Sequence, residues 1–414
     1  MACSRRRSNL ILPLQFAILS LIALTLTETG ASAQTFTVLH NFTNGNDGST
    51  PWAGLTIDRA GNLYGTTSGF TRASGTVFRL TQRSGTWVFG TLYSFTGGDD
   101  GANPETRVVF GPDGSLYGTT TQGGLGSGTV FKLQPRPTAC PTTFCPWKER
   151  VLYAFGTDGG GDGAYPSGEV TFDRTANIYG VTAEGGAYET GTAYELALSN
   201  GTYSHSTIYS FDEYGKNEAY PAGLLSFDSS GNLYGIAAGV LSLDSKVYEL
   251  VPSPSGWTET TVFNQFTDAS GERPTGGVIL DASGNLYGAV SFRGANNGGA
   301  VYKLSAEGGN WIFDVLFSFQ GNGNPSGPAS FLYMDSAGNI YGTTYQDGAQ
   351  NHGSVFKLTP QNGSWLYTSL HDFTGGSDGS EPVSNVVLDS SGNLYGTTSA
   401  GGAFGYGVVW EITP

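Results

Sequence analysis

Short runs of alternating apolar and polar residues recur along this chain, and glycine, proline or aspartate bounds each run. The segment Gly54-Leu55-Thr56-Ile57 is typical, because every second side chain is apolar. A period of two predicts a β-strand with one buried face. The apolar positions form two columns, which we expect to be buried. They are Leu55, Val108, Val170, Leu225, Val278, Leu332 and Val386, and Ile57, Phe110, Phe172, Phe227, Leu280, Met334 and Leu388.

A five-residue signature, Gly61-Asn62-Leu63-Tyr64-Gly65 in its first copy, sets the period of this pattern. It returns at 114–118, 176–180, 231–235, 284–288, 338–342 and 392–396, in steps of 53 to 62 residues. A proline lies ten residues before every copy, and proline is tolerated as the first residue of a strand. A fixed period of this size indicates a repeat fold.

Each repeat contains four strand signals. The first follows the proline, and the second is the Leu-Tyr-Gly-Thr-Thr segment that includes the signature tyrosine. The third resembles 75–80, and the fourth runs from an aromatic residue such as Trp87 to Phe95. An aspartate opens the turn between the first two strands, where we expect its carboxylate to accept hydrogen bonds from the turn's own amides. The aspartates are Asp58, Asp173, Asp228, Asp281, Asp335 and Asp389.

Seven repeats of four short antiparallel strands, without a helical period, predict an all-β chain folded as a seven-bladed β-propeller. The last repeat stops after its third strand, 408–412, whereas 36–42 reads as an isolated fourth strand. We therefore predict that the N-terminal strand completes the last blade and closes the ring, which removes the free sheet edges. An open β-solenoid is the alternative, and it needs no such matched ends. Residues 34–414 are assigned to this single domain.

The first 33 residues have the features of a secretory signal peptide. Arg5–Arg7 precede an apolar run at 10–26, and Ala31–Ala33 form a small-residue cleavage site. A membrane anchor is the alternative, but Pro13 within the run and the cleavage site favour a signal peptide. We predict cleavage near Ala33 and a secreted or periplasmic protein without a transmembrane anchor.

The charge of the chain limits the classes of partner it can bind, and its cysteines predict a disulfide. Charged residues make up only 13% of the chain, and its formal charge of −15 becomes −17 after loss of a leader with three Arg and one Glu. An acidic surface repels phosphate backbones, so we expect no nucleic acid partner. No cofactor or metal motif stands out, and we expect a monomer that needs neither. Cys140 and Cys145 remain after cleavage and are predicted to form a disulfide in an oxidising compartment.

The repeated Leu-Tyr-Gly-Thr-Thr…Gly-Gly…Gly-Thr-Val-Phe-Lys-Leu pattern resembles the GloVer tandem repeat of secreted bacterial proteins. The resemblance covers essentially the whole predicted mature chain. The fourth and fifth repeats depart from it, since Ile236-Ala237 and Ala289-Val290 replace Thr-Thr. The resemblance implies an exported repeat protein and supplies no catalytic residues.

Departures from the repeat mark candidate binding residues, because the repeated residues already have structural roles. The third residue after each proline varies: Gly54, Arg107, Glu169, Leu224, Gly277, Phe331 and Asn385. We expect Arg107 near the mouth of the propeller, held between Glu105 and Glu169 with Trp52 as a flanking aromatic surface. The loops between second and third strands add Tyr188, Arg293, Tyr345, His352 and Tyr406. His40 and His371 replace the tyrosine or phenylalanine of other fourth strands and are expected to be structural.

Exposed aromatic rings beside polar groups suit the faces of sugars. We therefore expect a non-catalytic protein that binds glycans or cell-envelope partners through one face. Two alternatives stay open. One is an extracellular polysaccharide-degrading enzyme, a lyase or a glycoside hydrolase, which would need paired carboxylates or a His, Tyr and Arg set. The other is a purely structural envelope scaffold. The sequence identifies no catalytic residue.

Overall fold

The computed structural model describes residues 1, 34–69, 74–135, 147–157, 159–211, 219–239, 245–321 and 326–414. All the regular secondary structure in these ranges is β-strand. They contain no helix, and hence none that is long and apolar enough to cross a membrane. Cys140 and Cys145 lie outside the described residues, so their disulfide stays a prediction.

The strands are numbered in chain order, and β1 spans Thr35–Asn41. The first repeat contains β2 (Thr56–Ile57), β3 (Leu63–Thr67), β4 (Thr76–Arg83) and β5 (Thr86–Ser94). The second contains β6 (Val109–Phe110), β7 (Leu116–Thr120), β8 (Thr129–Gln134) and β9 (Lys148–Ala154). The third contains β10 (Ala164–Pro166), β11 (Thr171–Phe172), β12 (Ile178–Glu184), β13 (Thr192–Ser199) and β14 (Thr202–Ser210).

The later repeats follow the same order. The fourth contains β15 (Ala219–Phe227), β16 (Leu233–Gly239), β17 (Lys246–Ser253) and β18 (Gly256–Phe263). The fifth contains β19 (Glu272–Leu280), β20 (Leu286–Phe292), β21 (Asn297–Glu307) and β22 (Asn310–Gln320). The sixth contains β23 (Tyr333–Met334), β24 (Ile340–Thr344), β25 (Ser354–Gln361) and β26 (Ser364–Asp372). The last contains β27 (Val387–Leu388), β28 (Leu394–Thr398) and β29 (Val408–Thr413).

Within each repeat the strands pair antiparallel with their neighbours in chain order, for example β2-β3-β4-β5. In the third repeat β10 and β11 both pair with β12, so the first strand is split in two. A parallel bridge between Leu224 and Gly277 joins the sheets of the fourth and fifth repeats. The described part of the chain is therefore a series of antiparallel four-stranded units, as the alternating pattern predicts.

The N-terminal strand β1 belongs to the sheet of the last repeat. It pairs antiparallel with β29, from Thr35 opposite Thr413 to Asn41 opposite Val408, with a bulge between Val38 and His40. Phe42 follows the strand and is fully buried. The predicted pairing of the strand at 36–42 with the last strand of the chain is present.

Buried side chains fill the space between successive units. Tyr64 and Val77 of the first repeat, for example, pack with Val108 and Leu116 of the second. The first predicted column, represented by Leu55, is buried in every repeat. The second column, represented by Ile57, is only half-buried throughout, and our prediction of full burial was wrong there. These residues end very short strands directly before the turn, so one side of each reaches solvent.

The turn aspartates act as the sequence predicts. Asp58 Oδ1 accepts the amides of Ala60 and Asn62, both at 2.9 Å, and its Oδ2 accepts the Tyr64 hydroxyl at 3.0 Å. Burial, followed by the charge of Asp58, raises the pKa of Tyr64 to about 12. The signature tyrosine therefore stays protonated and ties the second strand to the turn before it.

The glycine that closes the signature has a packing reason. A Cβ built on Gly65 would lie 2.5 Å from Phe78 Cζ on the neighbouring strand β4. Gly396 meets Trp410 in the same way, at 2.3 Å from Cζ2. Because backbone and ring touch, a larger residue would separate the second and third strands.

Candidate functional site

A cavity of about 770 Å³ is lined by residues from every repeat. The most regular contribution comes from the residue directly after each repeat proline. These residues are Trp52, Glu105, Ser167, Ala222, Thr275, Ala329 and Val383. One sequence position, repeated seven times, thus converges on one cavity of a size typical for ligand pockets.

Aromatic side chains form part of the cavity wall. Trp52 is 40% exposed and Tyr165 is 39% exposed, and Tyr345 and Phe331 also line the cavity. Tyr165 directly precedes Pro166 and has a φ of 55°, although a residue before proline normally adopts an extended conformation. Its amide donates to the Ser127 carbonyl at 2.9 Å, which fixes this turn against the preceding repeat. The ring of Tyr165 is therefore presented to solvent by a constrained backbone.

Arg107 and Glu169 form a bidentate ion pair between the second and third repeats. Arg107 Nε donates to Glu169 Oε1 at 2.9 Å, and Nη2 donates to Oε2 at 2.6 Å. The Glu169 side chain is only 2% exposed, and that of Arg107 is 24% exposed. Burial alone would lower the pKa of Arg107, but the charge and hydrogen bonds of Glu169 outweigh it and raise the pKa. The guanidinium stays charged and is fixed in orientation.

Glu105 does not join this pair, which corrects the prediction that Arg107 lies between two carboxylates. Within the described residues Glu105 makes no hydrogen bond or ion pair, and Arg107 turns its Nε–Nη2 edge toward Glu169 in the next repeat. Glu105 reaches solvent in the cavity, yet the surrounding wall desolvates its carboxyl and raises its pKa. The cavity thus contains one neutralised ion pair and one carboxyl without a partner.

Tyr345 is the one predicted loop residue that lines the cavity. Burial, and then the charge of Glu381, raises the pKa of Tyr345. Tyr345 therefore presents a protonated hydroxyl group near the cavity.

The other predicted loop residues, Tyr188, Arg293, His352 and Tyr406, do not line the cavity. Arg293 pairs with Asp268 at 2.5 Å and lies 3.0 Å from Glu272. The carbonyl of His352 accepts the amide of Glu381 at 3.0 Å. Tyr188 and Tyr406 are exposed, by 45% and 38%. The loops that carry these four residues follow the second strands in the sequence, but the four side chains do not contribute to the cavity wall.

His40 and His371 are structural, as predicted. The ring of His40 stacks on Phe89 at 4.1 Å, and that of His371 stacks on Phe36 at 3.8 Å. Each Nε2 lies 3.1 Å from an aspartate, Asp47 or Asp378. Burial lowers the pKa of both histidines despite these carboxylates.

The sequence analysis did not identify Tyr165 as a cavity residue, and it did not predict that the side-chain oxygen of Asn385 lacks a hydrogen-bond partner. Tyr165 occupies the position before a repeat proline, whereas the candidates predicted in the first strands follow one. Asn385 lines the cavity, and its buried Oδ1 has no hydrogen-bond partner among the described residues. Its amide occupies the space above Gly54, where a Cβ would lie 1.3 Å from Oδ1. Gly54 and Asn385 are both the third residue after a repeat proline. A glycine and an amide at this same repeat position were the sequence signal that could have indicated their contact.

The repeat of this chain matches a known family of repeats over part of its length. Residues 244–414 match the family model described as the Gloeobacter/Verrucomicrobia repeat. These residues carry the Gloeobacter/Verrucomicrobia repeat. This match confirms the resemblance that the Leu-Tyr-Gly-Thr-Thr motif predicts. No curated protein matches this repeat chain in sequence.

Several solved structures share the fold of the repeat chain. An ulvan lyase of polysaccharide lyase family PL25, bound to -[GlcA(1-4)Rha3S]-, has a TM-score of 0.56 at 11% identity and covers 91% of this chain and 95% of its own. The polysaccharide lyase Uly1 has a TM-score of 0.50 at 11% identity, with 94% of both chains covered. A protein from Lactobacillus plantarum has a TM-score of 0.52 at 15% identity, covering 82% of this chain and 88% of its own. At such identities the likeness is one of fold alone: all-β and propeller-like.

Proposed function

We propose that this chain is an exported seven-bladed β-propeller that binds glycans in the cavity lined by the residue after each repeat proline, without catalysing a reaction. The observation that carries the proposal is that exposed aromatic rings, Trp52 and Tyr165, line this cavity beside polar side chains. Glycans of the cell envelope or glycan-bearing surface proteins are the partners that this chemistry suits. Export rests on the predicted signal peptide.

Contacts between the last and first repeats support the closed ring. Thr397 Oγ1 lies 3.1 Å from the Pro51 carbonyl and 3.0 Å from that of Ala53. The buried cluster around Leu55 and Leu63 includes Tyr395 and Val409. Together with the pairing of β1 and β29, these contacts join both ends of the repeat series. The same arrangement would bring the seven residues that follow the prolines around one axis.

The composition of the cavity wall supports a sugar ligand. Aromatic faces pack against the C–H surface of a pyranose ring, and amides, hydroxyls and carboxylates bind its hydroxyl groups. Gln122 and Asn385 supply amides, and Glu105 supplies a carboxylate. The cavity volume of about 770 Å³ is large enough for a short oligosaccharide segment.

The test is a glycan array probed with residues 34–414, followed by titration calorimetry on any glycan retained. We expect Tyr165→Ala to weaken binding by about tenfold, since an aromatic anchor of an interface contributes on the order of 1–2 kcal/mol. Tyr188→Ala is the matched control, because Tyr188 is similarly exposed but lies outside the cavity lining. Equal affinities of both variants would contradict the proposed site.

A second candidate is a polysaccharide lyase. Two observations favour it: the fold shared with two polysaccharide lyases, and the unpaired Glu105 carboxyl with a raised pKa, which suits proton transfer. The test incubates residues 34–414 with uronate-containing polysaccharides and follows the ultraviolet absorbance of unsaturated products. Turnover that Glu105→Gln abolishes would replace the non-catalytic proposal with this one.

A further inference from the structure

We infer that the cavity prefers glycans that carry free amino groups over glycans that carry carboxylates, because Glu105 presents an unpaired carboxylate while Arg107 is already neutralised by Glu169. The inference rests on the proposed glycan-binding function and specifies its ligand class. Glu105, Arg107 and Glu169 are the charged residues among the described cavity lining. Their formal charges sum to −1.

The Nε–Nη2 edge of the arginine is poorly available to an acidic ligand. Both Nε and Nη2 are occupied by the two oxygens of Glu169, at 2.9 and 2.6 Å. A ligand carboxylate that took over this edge would leave Glu169, 2% exposed, as an uncompensated buried charge. Breaking a buried pair in this way is strongly unfavourable. Arg107 therefore fixes the wall of the cavity instead of attracting an anion.

Glu105 is available to a cationic ligand. Its side chain reaches the cavity, and it has no hydrogen-bond or ion-pair partner among the described residues. Partial desolvation of the carboxyl, which also raises its pKa, strengthens any interaction with an incoming charge. An ammonium group would gain from pairing with it, whereas a ligand carboxylate would be repelled.

The aromatic residues strengthen the same preference. Trp52, Glu105 and Tyr165 come from three consecutive repeats and all line the cavity. A cation near an exposed indole or phenol face gains cation–π stabilisation, and an anion does not. The acidic chain, at a formal −15, adds a long-range field of the same sign. An amino sugar would combine all three contributions.

Three oligosaccharides with the same β-1,4-glucan backbone test the inference. They carry hydroxyls only, free amines at carbon 2, or carboxylates at carbon 6, and each is titrated calorimetrically into residues 34–414 below the pKa of the amine. We expect the amino form to bind about tenfold more tightly than the carboxylated form, a ratio typical of one partly desolvated charge contact. High salt should reduce this ratio.

Glu105→Gln isolates the contribution of the carboxylate. In this variant we expect the amino form to bind within about threefold of the neutral form. Glu307→Gln removes the same charge from an exposed hairpin outside the cavity lining and should leave every ratio unchanged. Circular dichroism melts confirm that both variants are folded.

The possible results distinguish a failure of this inference from a failure of the proposed glycan-binding function. Tightest binding of the carboxylated form, or an amino preference that survives in Glu105→Gln, would overturn the inference and leave glycan binding intact. Binding of none of the three forms, together with a blank glycan array, would overturn the proposed function and this inference with it.

Discussion

Removing Arg107 should destabilise the fold, because the pair it forms is buried. Arg107→Ala leaves the Glu169 carboxylate, whose side chain is 2% exposed, without the two hydrogen bonds that it now accepts. Loss of one partner of a buried ion pair typically costs about 3–5 kcal/mol. This is a large part of the 5–15 kcal/mol by which domains are usually stable, stated as an order of magnitude.

The double variant Arg107→Met, Glu169→Leu supplies the contrast. Replacing both charges by apolar side chains of similar volume is often neutral or stabilising, so we expect its stability within about 1 kcal/mol of wild type. Urea unfolding of residues 34–414, followed by tryptophan fluorescence and extrapolated to water, measures both changes. A loss below about 1 kcal/mol in Arg107→Ala, the range of exposed pairs, would refute the buried-pair reasoning. Equal instability of the single and double variants would refute it too.

Three further predictions test other parts of the account. Deleting Thr35–Phe42 removes the ladder to β29 and the fully buried Phe42, so we expect a loss of more than about 5 kcal/mol and aggregation; an unchanged melting temperature would rule out the closed ring. Burial, and then Asp100, raises the pKa of Glu149 from 4.5 to about 7, so stability should fall as pH rises through that window. Glu149→Phe introduces the aromatic ring that Phe89 supplies at the equivalent position. It should abolish this dependence of stability on pH and raise the free energy of unfolding near neutral pH by about 1–2 kcal/mol after allowing for solvent screening. Urea unfolding of the variant at two pH values that shows the wild-type pH dependence would contradict this. Exported protein should contain no free thiol at Cys140 or Cys145, and denatured, unreduced protein that reacts with a thiol reagent would disprove the disulfide.

The strand arrangement could be read from the sequence because each signal has a local physical cause. Leu55 alternates with polar neighbours, Asp58 bonds its own turn, and Gly65 must touch a ring. Each cause acts within one repeat and recurs in the others. The pairing of β1 with β29 also followed, since a missing strand at one end matched an extra strand at the other.

The site was only partly predictable, because it depends on contacts between repeats. Whether Arg107 pairs with Glu105, two residues away, or with Glu169, 62 residues away, depends on how neighbouring sheets are placed and which edge of the guanidinium each carboxylate meets. The alternation pattern does not contain that information. The loop residue Arg293 was predicted because it departs from the repeat, yet it pairs with Asp268 and Glu272 and does not line the cavity. Tyr165 was missed because it precedes a repeat proline, whereas the candidates taken from the first strands follow one.

The most direct test of the central claim is a crystal structure of residues 34–414 soaked with the glycan that the array selects. We expect sugar density inside the cavity, with a pyranose ring packed on Trp52 or Tyr165 and a polar group within hydrogen-bond distance of Glu105. Density on the strand-connecting loops around Tyr188 or Tyr406, with an empty cavity, would contradict it.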